Sequence, residues 1–258
     1  MNDTKKVLSF AVELGDILLR NGAEVYRVED SVLAILNSYD ITDCDVYVLS
    51  NGIFASADEV TEHASSMIRH VPMYPMHLSR IAALNSLCRR VCSKEISLED
   101  AWVELNNCKN IPCYKSLAMI VATAVGCGGF SYLYGGTPLD ALCASAVGAV
   151  LRLFLILDEK TGHTKTITNV LGSIVIAVTA LLFYLAGLPI HFDKIIIGSI
   201  MPLVPGIPIT NSIRDFINGD YLSGSIRAID ALLTAFCIAV GVGVVITFAH
   251  FIGGGAYI

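Results

Sequence analysis

The sequence predicts a membrane protein in two parts: an N-terminal α+β cytoplasmic domain (1–110), then a transmembrane domain (111–258) with a bundle of about five transmembrane helices, one broken by prolines. Three observations predict it. Charged residues make up 16% of the chain, against about 25% in soluble domains, and the deficit falls almost wholly after Lys115. From Ser116 onward the chain is a series of apolar stretches, each about as long as a bilayer is thick. Within them, Met201-Pro202-Leu203-Val204-Pro205-Gly206-Ile207-Pro208 concentrates three prolines and a glycine in eight residues, which no continuous helix accommodates.

The first part carries ordinary soluble signals. Val7, Ala11, Leu14 and Leu18 recur at helical spacing, predicting an amphipathic helix over about 5–20 that Asn21-Gly22 stops. A second helix starts near Ala23, with Val25, Val28, Val32 and Ile35 as its stripe, and Glu24 suits the positive end of its dipole. Val46–Ser50 and Ile53–Ala57 are short extended runs around Asn51-Gly52, a two-residue hairpin signal. A third strand is expected over Ser66–Val71, before Pro72 and Pro75. Ile81, Leu84, Leu87, Cys88 and Val91 mark another helix. Ser97-Leu98-Glu99-Asp100 resembles a capping box opening the last one, which bears Ala101, Trp102 and Leu105.

Composition narrows the function classes. The net charge is −6 with no basic stripe, so nucleic acid is not an expected partner. The polar start of the chain is unlike a signal-peptide core, so the first part is expected in the cytosol with reduced thiols. Cys88, Cys92, Cys108 and Cys113 are read as small buried hydrophobes, with a loose zinc set as the alternative. His63, His70 and His77, near Glu59 and Glu62, read as partly exposed histidines rather than a metal site. Nucleophile-elbow, zincin and phosphate-loop motifs are absent, and no cofactor, metal or catalytic residue is expected.

The expected spans are Ser116–Tyr134, Leu139–Leu157, Ile167–Leu188, the proline-broken Ile195–Ile209, and Ile226–Ile252. Positive residues fall in alternate loops, which places the N-terminus inside and the C-terminus outside. Small residues such as Ala141, Ser145 and Ala149 suit close helix packing. Irregular backbone at membrane depth needs protein or water around it, and broken helices often build transport sites. The alternative is a span ending at Pro202 with an interfacial loop beyond. Arg214 and Asp215 follow the break, with Asn211 before them. Arg227 and Asp230 share one helical face and suit either a site or a structural ion pair. Asp140 and Arg152 lie within the second span, where Arg152 either serves function or snorkels to the inner surface. Pro202, Pro205, Gly206, Asn211, Arg214, Asp215, Arg227 and Asp230 are therefore the candidate substrate-binding residues.

Two signatures carry a resemblance. Gly22-Ala23-Glu24-Val25-Tyr26-Arg27-Val28-Glu29 resembles a G-A-x-x-x-R-V-E pattern. Pro202-Leu203-Val204-Pro205-Gly206, then Asn211, Arg214-Asp215, Gly219-Asp220, Gly224 and Arg227, resembles a membrane signature of the same family. That family is the threonine/serine exporters (ThrE), here in the short YjjP-like form. The resemblance covers nearly the whole chain. It implies export of small polar metabolites, threonine or serine, or a C4-dicarboxylate such as succinate, across the cell inner membrane. It also implies work with a separate small YjjB-like membrane subunit, besides membrane lipid and a possible homo-oligomer. Gly22, Glu24, Arg27 and Glu29 are the soluble-domain signature, suited to an ion-pair network or to ligand contact. A non-transporting membrane sensor or scaffold and an intramembrane enzyme are the alternative classes.

Overall fold

The computed structural model describes residues 3–57, 65–72, 76–112 and 114–252. Glu59, Glu62, His63, Pro75 and Cys113 lie outside the described residues. By contact the chain forms two compact units, Met1–Cys113 with Asn211–Arg227, and Tyr114–Thr210 with Ala228–Ile258.

The first unit opens with two helices, α1 (Asp3–Arg20) and α2 (Val25–Ser38). An antiparallel sheet follows in the order β1 (Cys44–Leu49), β2 (Gly52–Ala57), β3 (Ser65–His70), and then α3 (Leu78–Cys92) and α4 (Leu98–Lys109). The sheet alternates as period-2 burial requires. Val48, Ile53, Ala55 and Ala57 point inward under α1 and α2, while Tyr47, Phe54 and Ile68 are exposed. Ser97 caps α4 by accepting the Asp100 N–H at 3.2 Å.

Two expectations need correction. The amphipathic stripe expected for α1 understates its burial, because Leu8, Phe10, Val12, Ile17 and Leu19 are buried too. The helix packs against the sheet on one side and α2, α3 and α4 on others, so it needs apolar residues nearly all round. The hairpin turn also lies one residue earlier than Asn51-Gly52. Leu49 pairs with Gly52, leaving Ser50-Asn51 as the loop, and neither residue adopts positive φ. Gly52 belongs to β2, where the Arg69 carbonyl of β3 lies 3.4 Å from where a Cβ would stand.

The second unit is built on α5 (Ser116–Leu133), α6 (Pro138–Asp158), α7 (Lys165–Leu185) and α8 (Phe192–Ile200), with parts of α9 (Gly206–Ile217) and α10 (Tyr221–Ile252). Among the described residues, four helices are long and apolar enough to cross a membrane: α5, α6, α7 and α10. The expected proline-broken span is instead α8, nine residues and about 13 Å long, followed by a turn and the start of α9. Thr137 and Asp140 form a capping box at α6 with Pro138 in the first turn. The Asp140 carboxylate, 0% exposed, also accepts the His191 N–H at 2.7 Å, so this ionisable group is a structural anchor. Arg152 reaches toward the C-terminal end of α6, with Glu159 3.7 Å away.

Although α8 is too short to span, it packs against α5, α6 and α7. Ile195 and Ser199 are buried, and Leu203 in the following turn joins the same core. Leu203 N–H and Val204 N–H both return to the Ile200 carbonyl, at 2.9 and 3.2 Å, which satisfies the backbone where the helix stops. Pro208 sits in the first turn of α9, where a missing N–H costs little. Gly198 lets α8 touch α5: a Cβ there would stand 2.6 Å from Ser131 N and 2.7 Å from the Cys127 carbonyl.

Gly198→Ala should therefore lower the thermal stability of the detergent-solubilised protein by the cost of overpacking, about 1–3 kcal/mol. Gly243→Ala, with open space around its Cβ position, should leave it unchanged or slightly raised. Equal melting temperatures for the two variants would contradict this packing.

Candidate functional site

Two helical corners build the site in the first unit, and both use the same local device. After α1, Gly22 adopts φ +87°, its N–H donates to the Leu19 carbonyl at 3.0 Å, and Ala23 N–H donates to Leu18 at 3.1 Å. After α9, Gly219 adopts φ +85°, its N–H donates to Phe216 at 3.1 Å, and Asp220 N–H donates to Asp215 at 2.9 Å. These bond pairs are the left-handed glycine stop that satisfies the last carbonyls of a helix. Asp220 then starts α10 by accepting the Ser223 N–H at 3.1 Å. The helices of the second corner are close. Ser212 donates its hydroxyl proton to the Gly224 carbonyl at 2.7 Å, and a Cβ at Gly224 would stand 2.8 Å from the Phe216 ring.

The two corners are joined by charge. Glu24 pairs with Arg214 of the second corner and with Arg27 of its own helix at 2.8 Å. The guanidinium of Arg227, 7% exposed, donates to the Ala23 carbonyl at 3.4 Å and stands 3.5 Å from Asp215 Oδ2. Ser50 N–H, at the hairpin tip, donates to Ser223 Oγ at 3.0 Å.

A cavity of about 450 Å³ is lined by Glu29, Asp215, Asp220, Tyr26, Tyr47 and Tyr221, among others. Burial is the main cause that raises the Asp215 carboxyl above its ordinary range, opposed by Arg227, with Asp220 adding to the rise and Arg214 opposing it. Burial likewise raises Glu29, against a bond from the Val48 backbone and with help from Asp30 and Asp220. A smaller cavity of about 150 Å³ is lined by Gly22, Glu24, Arg27, Met76, Asn85 and Asn211.

The sequence-predicted residues thus divide. Gly22, Glu24, Arg27, Glu29, Asn211, Arg214, Asp215 and Arg227 belong to the first unit, and Pro202, Pro205, Gly206 and Asp230 to the second. Pro205 is buried, whereas Pro202 and Gly206 are exposed. Arg227 and Asp230 do not pair, despite their spacing: Arg227 takes Asp215, and Asp230 takes Lys165 at 2.6 Å. Among the described residues, no group of three or more His, Cys, Asp and Glu residues is placed to hold a metal ion. The three tyrosines and Ser50 escape sequence reading, since nothing local marks them. Asp220 carries a readable signal, an N-cap residue directly after a helix-stopping glycine.

A family model described as "Putative threonine/serine exporter" matches residues 9–249. The chain belongs to that threonine/serine exporter family. It is 26% identical over 242 residues to a Mycobacterium tuberculosis (strain ATCC 25618 / H37Rv) protein named "Probable threonine/serine exporter", covering 93% of this chain and 45% of that one. It is 25% identical over 244 residues to the "Threonine/serine exporter" of Corynebacterium glutamicum, covering 92% of this chain and 50% of that one. The chain therefore spans about half the length of these curated relatives. No solved structure matches it. Within this member of the exporter family, Glu24 and Ala23 of the first signature meet Arg214 and Arg227 of the second at the two charged corners.

The raised Glu29 carboxyl has a consequence for stability. The folded state holds its proton above the ordinary value of 4.5, so folded protein loses stability relative to unfolded as pH rises past that value. Glu29→Gln removes the loss. The wild-type protein and this variant should melt together below about pH 4, with the wild type falling below the variant as pH rises past the ordinary value of 4.5. A constant difference across that range would contradict the shift.

Proposed function

We propose that this chain is an inner-membrane exporter subunit for threonine or serine, with its N-terminus in the cytoplasm. The observation that carries this reading is the family match over nearly the whole chain. The printed names of both relatives favour hydroxy amino acids over a dicarboxylate. Because the chain corresponds to about half of each relative, a small YjjB-like membrane subunit supplies the remaining membrane module in this reading.

The helical bundle supports transport in two ways. The short helix α8 ends in the proline turn, and broken helices surrounded by protein are where transporters place their sites. Ser131 on α5 and Ser199 on α8 have buried hydroxyl oxygens with no hydrogen-bond partner. Buried polar groups of this kind are costly unless something engages them, and a hydroxylated or zwitterionic solute would do so. In this reading Pro202, Pro205 and Gly206 shape the path, and Asp230 with Lys165 forms a switchable pair beside it. Arg214 and Asp215 work through the joined corners: Arg214 holds Glu24, and Asp215 holds Arg227.

The test is efflux from cells preloaded with threonine, serine or succinate, with and without the partner gene. Threonine and serine efflux should rise only when this chain is present, and more with the partner. Arg214→Ala should cut it about tenfold or more, as expected for loss of one charge-assisted contact, at unchanged protein level in the membrane. Efflux of succinate alone would move the substrate class to dicarboxylates, and no efflux of any of the three would remove the exporter reading.

A further inference from the structure

The larger cavity of the first unit has the chemistry of a cation receptor. Three carboxylates line it, Glu29, Asp215 and Asp220, and its described lining includes no Lys or Arg. Three tyrosine rings line it as well. Tyr47 and Tyr221 are exposed toward solvent, at 50% and 68%, while Tyr26 already has the Arg27 guanidinium carbon 5.9 Å from its ring centre. Tyrosine faces attract cations through the ring quadrupole. Val25, Val48 and Leu222 add apolar surface, and Asn218 and Gly219 complete the wall.

The carboxylates have unfilled capacity. Asp215 is 3% exposed, and its Oδ2 makes no hydrogen bond; its ion-pair partner, Arg227 Nε, is 3.5 Å distant. Asp220 spends Oδ1 on the α10 cap and leaves a buried Oδ2 without a hydrogen bond. A carboxylate offers about four acceptor positions, so each can take a further donor. Burial, with the Asp220 charge adding to it, raises Glu29 and Asp215, the electrostatic state that an added positive charge would relieve.

We propose that this cavity binds the ammonium end of a small organic amine. An inorganic cation would satisfy the carboxylates but leave the tyrosine and valine walls without a partner. The volume, about 450 Å³, is that of a small-molecule pocket. The all-acidic lining also sets a preference. An amine without a carboxylate binds better than the matching zwitterion, because Glu29, Asp215 and Asp220 repel a carboxylate and the wall offers it only neutral donors, Asn218 and the tyrosine hydroxyls. This inference stands apart from the export reading.

The experiment is calorimetric titration of the full-length protein in detergent at neutral pH. L-Threoninamide, which has the ammonium but no carboxylate, should bind, and L-threonine should bind more weakly. N-acetyl-L-threonine, which lacks the ammonium, should give no binding. Glu29→Gln should weaken L-threoninamide binding about tenfold, and Tyr47→Leu, at an exposed strand position, about two- to fivefold. Equal binding of L-threoninamide and N-acetyl-L-threonine would overturn the proposal. So would saturable binding of calcium or sodium chloride in place of the amine, an unchanged affinity in a folded Tyr47→Leu variant, or no binding of L-threoninamide at all.

Discussion

A guanidinium removed from water must be answered by the protein, and Arg227 is the place where this chain meets that requirement. The cost of burying an unpaired charge is large, so a position for Arg227 exists only where Asp215 and the Ala23 carbonyl are both within reach. That condition fixes the end of α9 against the start of α10 and both against the turn before α2. Glu24, shared by Arg27 and Arg214, adds a second tie at a more exposed position. A lone surface pair contributes little, but a network around one buried cation sets geometry, because each member's place depends on the others.

The glycine stops make that geometry reachable. Each corner turns within an Asn-Gly-x segment, Asn21-Gly22-Ala23 and Asn218-Gly219-Asp220, and each glycine takes the left-handed conformation that ends a helix without a steric penalty. The same short chemistry, written twice in distant parts of the sequence, presents two compact corners of mixed charge that pair with each other. In the second unit the organising constraint is different. Glycine and serine at the contact of α5 with α8 permit close backbone approach, the means by which helices pack where lipid competes for apolar surface.

Much of this was legible in the sequence. The long apolar helices, the sheet strands and the glycine stops each announce themselves within a dozen residues, through period, length or a turn dipeptide. The proline break was legible as a break, although not as a nine-residue helix seated among three neighbours, since that depends on Gly198 meeting α5. The hairpin turn was misplaced by one residue because the Asn-Gly signal is local, whereas Gly52 serves the close approach of β3. The pairing of Arg227 was hidden for a related reason. Spacing suggests Asp230, three residues away on the same helix, but tertiary contact selects Asp215 across the corner. Grouping of residues 211–227 with the N-terminal unit rests on partners such as Glu24 and Ser50, which no local pattern reveals.

The most direct test of this account is a double-mutant cycle on the buried pair. Asp215→Asn, Arg227→Gln and the double variant would be compared with the wild type by thermal unfolding of the full-length protein in detergent. The account predicts that each single change is strongly destabilising and that the double change costs less than their sum, with a coupling of about 1–3 kcal/mol. Strict additivity, or single variants that melt like the wild type, would contradict the claim that the pair of Arg227 with Asp215 fixes the end of α9 against the start of α10.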